Sequence, residues 1–172
     1  YIWNSFIVSG VVASLIGLLL FAITGFTLNH AAEIEAEPTI VETEAQLPGE
    51  LLSLIGEAAS GDESRPLPPE IAQWVEGTFD ARIRADAEWS DTEVYVPLPR
   101  PGGDGWVALD RETGAAFAEA TDRGWISYLN DLHKGRNTGT AWRWFIDIFV
   151  LACVVFSLTG LLLLQLHAAK RK

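Results

Sequence analysis

Cysteine, histidine and cationic side chains are scarce in this sequence. The single cysteine, Cys153, rules out any disulfide within one chain. It falls inside an apolar run, where a thiol packs as a small hydrophobic group. Lysine and arginine number 12 against 23 aspartates and glutamates. A surface of that sign argues against nucleic acid as a partner. No Cys–His metal cluster and no nucleophile–base arrangement is recognisable. Gly102-Gly103-Asp104-Gly105 lacks the Lys-Ser/Thr of a phosphate-binding loop and reads as a hairpin turn.

What is present divides sharply along the chain. Phe6 to Phe26 and Trp144 to Leu166 are almost wholly apolar, and each is close to the ~20 residues a helix needs to cross a bilayer. Between Ala31 and Thr140 there are 22 acidic and 8 basic residues, so the acidity belongs to one segment. No small-residue cleavage site follows the first block, which predicts a retained helix, not a signal peptide. The sequence opens on Tyr1, not Met, which predicts that further residues precede it. The basic tail Lys170-Arg171-Lys172 places the C-terminus in the cytoplasm by the positive-inside rule, and two crossings return the N-terminus there. Residues 31–140 then lie outside, on the far side of the membrane from both termini. Lys134, Arg136 and Arg143 oppose this orientation but flank a long acidic domain, which is exported largely regardless of local charge. Trp3, Trp142 and Trp144 suit the aromatic belts.

The fold class expected is therefore a membrane α-helical hairpin of two transmembrane helices carrying an α+β extracytoplasmic domain. Its parts are a first helix over 1–30, an acidic linker over 31–46, the folded domain over 47–128, a polar loop over 129–141, a second helix over 142–167 and a basic tail over 168–172. The linker reads as a tether or an extended strand. Leu47 to Ala59 and Glu70 to Phe79 carry helical apolar stripes, with a Pro-containing loop from Asp62 to Pro69 between them. Ala81 to Glu88 and Thr92 to Leu98 alternate as strands do, and Trp106–Leu109 and Ala115–Ala118 flank the turn Asp110–Gly114. Trp74, Phe79, Trp89, Tyr95, Trp106 and Phe117 are the expected core aromatics. Gly10 with Ser14 and Ala13 with Gly17 are spaced for close helix approach. Thr24-Gly25 and Thr159-Gly160 read as packing notches, the hydroxyls bonded back to their own helices. Arg143 and Asp147, four apart, are expected to pair.

All three histidines fall at membrane boundaries: His30 and His133 on the outer side, His167 on the inner. Imidazole is the usual protein ligand of haem iron, and two facing histidines at a helix bundle can hold a six-coordinate haem. Lys134 and Arg136 could pair with its propionates. A histidine at a helix end is equally an interfacial or capping residue, and the two cations equally anchor a helix at headgroups. Both readings stand at this point.

Leu132-His133-Lys134-Gly135-Arg136-Asn137-Thr138-Gly139, followed by Trp142-Arg143-Trp144-Phe145-Ile146-Asp147, resembles the PepSY-associated transmembrane (PepSY-TM) family. So do Thr24 to Ala31, Ser157 to Leu161 and the hairpin Val107 to Gly114. The resemblance implies a PepSY-like outer domain. Larger, four-helix members resemble haem-bearing reductases that strip iron from imported siderophores. By that likeness His30 and His133 would hold the iron of an outer haem b and His167 would help hold an inner one. This chain has two spans, so a four-helix haem bundle would require a homodimer or a partner membrane subunit. The inner site also lacks a second histidine. Two functions are implied: electron transfer across the bilayer to periplasmic ferric iron or a ferric siderophore, or a non-enzymatic accessory subunit whose PepSY-like domain binds a periplasmic protein. A third option is a metal sensor using the acidic face.

Overall fold

The computed structural model describes residues 2–34, 37–56 and 63–169, with side-chain surroundings from residue 12 onward. The basic tail, the expected last turn of the first domain helix and the surroundings of Trp3 and Gly10 lie outside the described residues. Helix α1 runs over Ile2–Asn29 and helix α5 over Thr140–Ala169. Both are proline-free and apolar all round, and both are long and apolar enough to cross a membrane. Their apolar side chains are uncovered: Leu19 is 63% exposed and Leu164 69%. Hydrocarbon is the solvent that suits such a surface.

Between them, six strands form one antiparallel sheet in the order β1-β6-β5-β4-β3-β2. They are β1 Thr39–Gln46, β2 Glu63–Arg65, β3 Ala87–Trp89, β4 Glu93–Pro97, β5 Gly103–Asp110 and β6 Ala115–Asp122. Helices α2, Gly49–Gly56, and α3, Pro69–Thr78, cover one face. Pro69 suits the first turn of α3, where no intrahelical donor is needed. Ile55, Ile71 and Val75 meet Val94, Val96, Val107 and Leu109 in a fully buried core. Helix α4, Gly124–Lys134, follows the sheet and leads through a short turn into α5.

Several expectations change. Of the two readings of the acidic stretch after α1, tether or extended strand, its second half takes the strand, β1 over Thr39–Gln46, paired along its whole length with β6. Ala81 to Asp86 is not a strand. The segment is held from the side instead, the Ile83 N–H donating to Glu76 Oε1 at 2.9 Å and the Arg84 guanidinium donating to the Asn137 carbonyl. The polar loop begins later than expected, because residues 129–134 complete α4. Of the expected core aromatics, Trp89 is fully buried and Trp74 and Phe79 are partly so. Tyr95, Trp106 and Phe117 lie on the other face. The two-residue period of a strand gives the core side to Val94, Val96, Val107, Leu109, Ala116 and Ala118, so the aromatics between them must point outward.

The long helices approach each other at one close point. The Phe149 ring lies against Gly17, where a Cβ would come 2.6 Å from its Cε2. It also stacks on Phe21 at 5.3 Å. Trp142, Ile146, Phe149 and Cys153 are half-buried positions of α5, spaced three and four apart along the side that meets α1. Arg143 and Asp147 lie on another side, both exposed, and do not form the expected pair. His30 Nδ1 lies 3.0 Å from Glu33 Oε2. The Arg143 stem instead lies along the Gly135 turn.

Candidate functional site

Helix α4 ties the apolar helices to the sheet, and it does so with polar side chains. Thr24 and Thr27, three apart on α1, face His133 and Asn130, three apart on the antiparallel α4. Thr24 Oγ1 lies 2.7 Å from His133 Nδ1, and Thr27 Oγ1 donates to Asn130 Oδ1 at 2.8 Å. Asp131 turns the other way and accepts the Gly102 N–H at 2.9 Å, which fixes the β4–β5 turn. Gly102 has a φ of 74° and lies so close to Tyr128 that a Cβ would come 2.6 Å from its Cα, so only glycine fits. Trp142 Nε1–H donates to the Leu132 carbonyl at 2.9 Å and joins α5 to the same point. Thr24, Asn130 and Asp131 are 3%, 6% and 6% exposed. A buried polar group must be paired, and each of these is.

The Thr24 hydroxyl also sits 2.9 Å from the Leu20 carbonyl. Its one proton satisfies that carbonyl when the oxygen accepts from His133 Nδ1–H. That tautomer leaves the lone pair on Nε2. The Phe21 ring, 5.0 Å away and tilted, covers the imidazole on the α1 side.

The other histidines are elsewhere. His30 occupies the turn after α1, bonded through Nδ1 to Glu33 Oε2 at 3.0 Å and resting on Phe26 at 4.6 Å. Phe26 is 67% exposed and points away from the Thr24–Thr27 side. His30 also lies six residues beyond Thr24, about 9 Å along the axis at ~1.5 Å per residue. The two imidazoles thus share neither a side of α1 nor a level. His167, exposed at the far end of α5, donates Nδ1–H to the Leu163 carbonyl at 3.0 Å. Lys134 and Arg136 are exposed and point to solvent. The structure thus gives the two histidines separate Nδ1 contacts, His30 with Glu33 and His133 with Thr24. Among the described residues no group of three or more His, Cys, Asp or Glu could hold a metal ion. Sequence reading missed Thr24, Asn130, Asp131 and Gly102 as a joint. The matched three-residue spacings on the two helices were the available signal.

A second feature lies on the uncovered face of the sheet. Tyr95, Trp106 and Phe117 form a diagonal ladder across β4, β5 and β6, with ring centroids 5.8 and 5.5 Å apart. Ala108 pairs with both Tyr95 and Phe117, so it is the low point between two rings. Beside it a shallow depression of about 430 Å³ is lined by Phe117, Glu44, Glu93 and Asp110. Partial burial, and then Asp104, Glu88 and Glu119, raise the Tyr95 phenol above its ordinary range.

The family described as putative PepSY_TM-like matches residues 2–172. No curated protein and no solved structure matches the chain.

Proposed function

The chain belongs to the PepSY_TM-like family, and from that premise we propose that it is a non-enzymatic membrane subunit that displays a PepSY-like domain to a protein partner. In this reading α1 and α5 anchor it in a bacterial inner membrane with both termini cytoplasmic, and residues 31–140 stand in the periplasm. The observation that carries the reading is how the polar residues at the helix–sheet junction are used. His133, Asn130 and Asp131 each hold a neighbouring element in place, and none points with another into a common gap. A rigid mount for the sheet domain is what such a joint supplies.

The test is in-cell cross-linking of the full chain together with an optical spectrum of the purified protein. A defined protein adduct that survives His30→Ala and His167→Ala, from a protein without a Soret band, is the expected result. A Soret band that shifts on reduction overturns it.

One observation favours the haem-linked reading as the second. With the proton on His133 Nδ1, the Thr24 contact leaves the Nε2 lone pair available, and a second copy or partner subunit could bring a further ligand to it. The same spectrum decides, since that reading requires a haem band in protein from haem-replete cells.

A further inference from the structure

One face of the sheet carries α2 and α3, whereas the opposite face carries three rings, and the residues that line the depression beside Ala108 include three acids and no base. Glu42 and Glu119 are cross-strand partners on that opposite face, as are Glu93 and Asp110 and, across β3 and β4, Glu88 and Tyr95. Like charges placed directly opposite destabilise a sheet. Here the acidic pairs stand on both sides of the aromatic ladder. Of the basic residues near the sheet, Arg111 is turned into the interior, donating to the Ile55 and Ser90 carbonyls. Arg65 lies over the Trp89 ring on the core side. Neither lines the depression, and Arg82, Arg84 and Arg100 line a separate hollow with Asp104, Trp106 and Glu119.

We infer that this face docks a cationic, extended segment of a partner protein, with one lysine or arginine side chain entering the depression over Ala108. The inference rests on the partner-binding reading above and names the chemistry of that partner. Phe117 lines the depression, where an aromatic ring attracts a cation, and Glu44, Glu93 and Asp110 supply the counter-charge. A flat row of rings suits an extended backbone laid across strands. A second copy of this chain does not fit, because its own face and its exposed β1 edge carry Glu42 and Glu44 and would repel. Anionic lipid is repelled for the same reason.

The experiment uses the full chain in nanodiscs of phosphatidylcholine and a fluorescein-labelled peptide alternating arginine with valine, read by anisotropy. Ala108→Leu fills the depression without changing charge. Glu44→Gln with Glu93→Gln removes charge without changing shape. Glu50→Gln with Glu70→Gln removes the same charge from α2 and α3. The first two variants weaken binding by about tenfold each, and the third stays within twofold of the original. The glutamate–valine counterpart of the peptide does not bind. Binding unchanged by Ala108→Leu, or weakened equally by the α2 and α3 substitutions, overturns the inference in favour of diffuse attraction to net charge. Circular dichroism on each variant confirms that the sheet is intact. A photo-cross-linker placed in cells at Ala115, beside the depression, and at Gln73, on α3, separates the two levels of the argument. Adducts from Ala115 and not Gln73 support it. Adducts from Gln73 alone leave the partner-binding role standing and sink this face. No adduct from either position counts against both.

Discussion

Replacing Thr24 with Val removes one oxygen and keeps the side-chain shape. That oxygen is 2.7 Å from His133 Nδ1, in a residue 3% exposed. Without it the imidazole N–H loses its partner where water is largely excluded. Stranding a buried donor costs about 1–3 kcal/mol. Side-chain hydrogen bonds between membrane helices average only ~0.6 kcal/mol in double-mutant cycles and reach ~1.7. His133 is half-buried, so a loss of about 1 kcal/mol is expected. Thr24→Ser keeps the hydroxyl and should fall within about 0.5 kcal/mol of the original, apart from its missing methyl. The decisive quantity is the coupling in a cycle of Thr24→Val and His133→Phe, measured by reversible unfolding in mixed micelles with haem-free protein. It should lie between about 0.6 and 1.7 kcal/mol. A coupling below ~0.3 kcal/mol, the usual scatter of additivity, would refute the idea that this histidine serves as a strut.

Gly17→Leu should lower the stability of the helix pair by about 1–3 kcal/mol through overpacking against the Phe149 ring. Trimming that ring in Gly17→Ala with Phe149→Leu should restore part of the loss in the same unfolding assay. Arg111 is 7% exposed and donates from Nε to the Ile55 carbonyl at 2.9 Å, so Arg111→Met should destabilise the sheet domain by roughly 2–4 kcal/mol in thermal unfolding. Asp110 accepts from the Thr113 N–H, the Thr113 hydroxyl and the Glu112 N–H, which together hold its carboxyl below the ordinary range. Its folded value is below its unfolded one, so its contribution is present above the ordinary carboxylate value of ~4 and fades as pH falls through the lowered value. The difference in thermal midpoint between the original and Asp110→Asn should therefore be present at neutral pH and vanish in acid; a constant difference would contradict it.

Much of the layout follows from periodicity. Helix α1 starts and stops at the residues the apolar run predicts, and α3 and the hairpin at Asp110–Gly114 stand where their stripes and turn residues place them. The strand at Ala81 to Glu88 fails because alternation measures only whether a strand is possible. Glu76, just upstream, takes the Ile83 N–H, and the distant Asn137 carbonyl takes the Arg84 side chain instead. The aromatic residues were legible as strand residues but not by face, since register decides the face and pairing decides register. Trp106 belongs to the uncovered side because Val107 and Leu109, its neighbours, are the pair that meets α2 and α3. The histidines show the same limit. Their clustering near the ends of the apolar helices is plain in one dimension, whereas the side of α1 each one meets depends on how α4 crosses it.

The sequence by itself determined two long apolar helices bracketing an acidic α+β domain, because hydrophobic length and charge segregation are local properties that no packing can reverse. The three-dimensional arrangement alone decided that His133 meets Thr24 and not His30, that β1 joins the sheet, and that three rings are left facing outward. Those outcomes depend on crossing angle and strand register, which only the joint packing of distant segments sets.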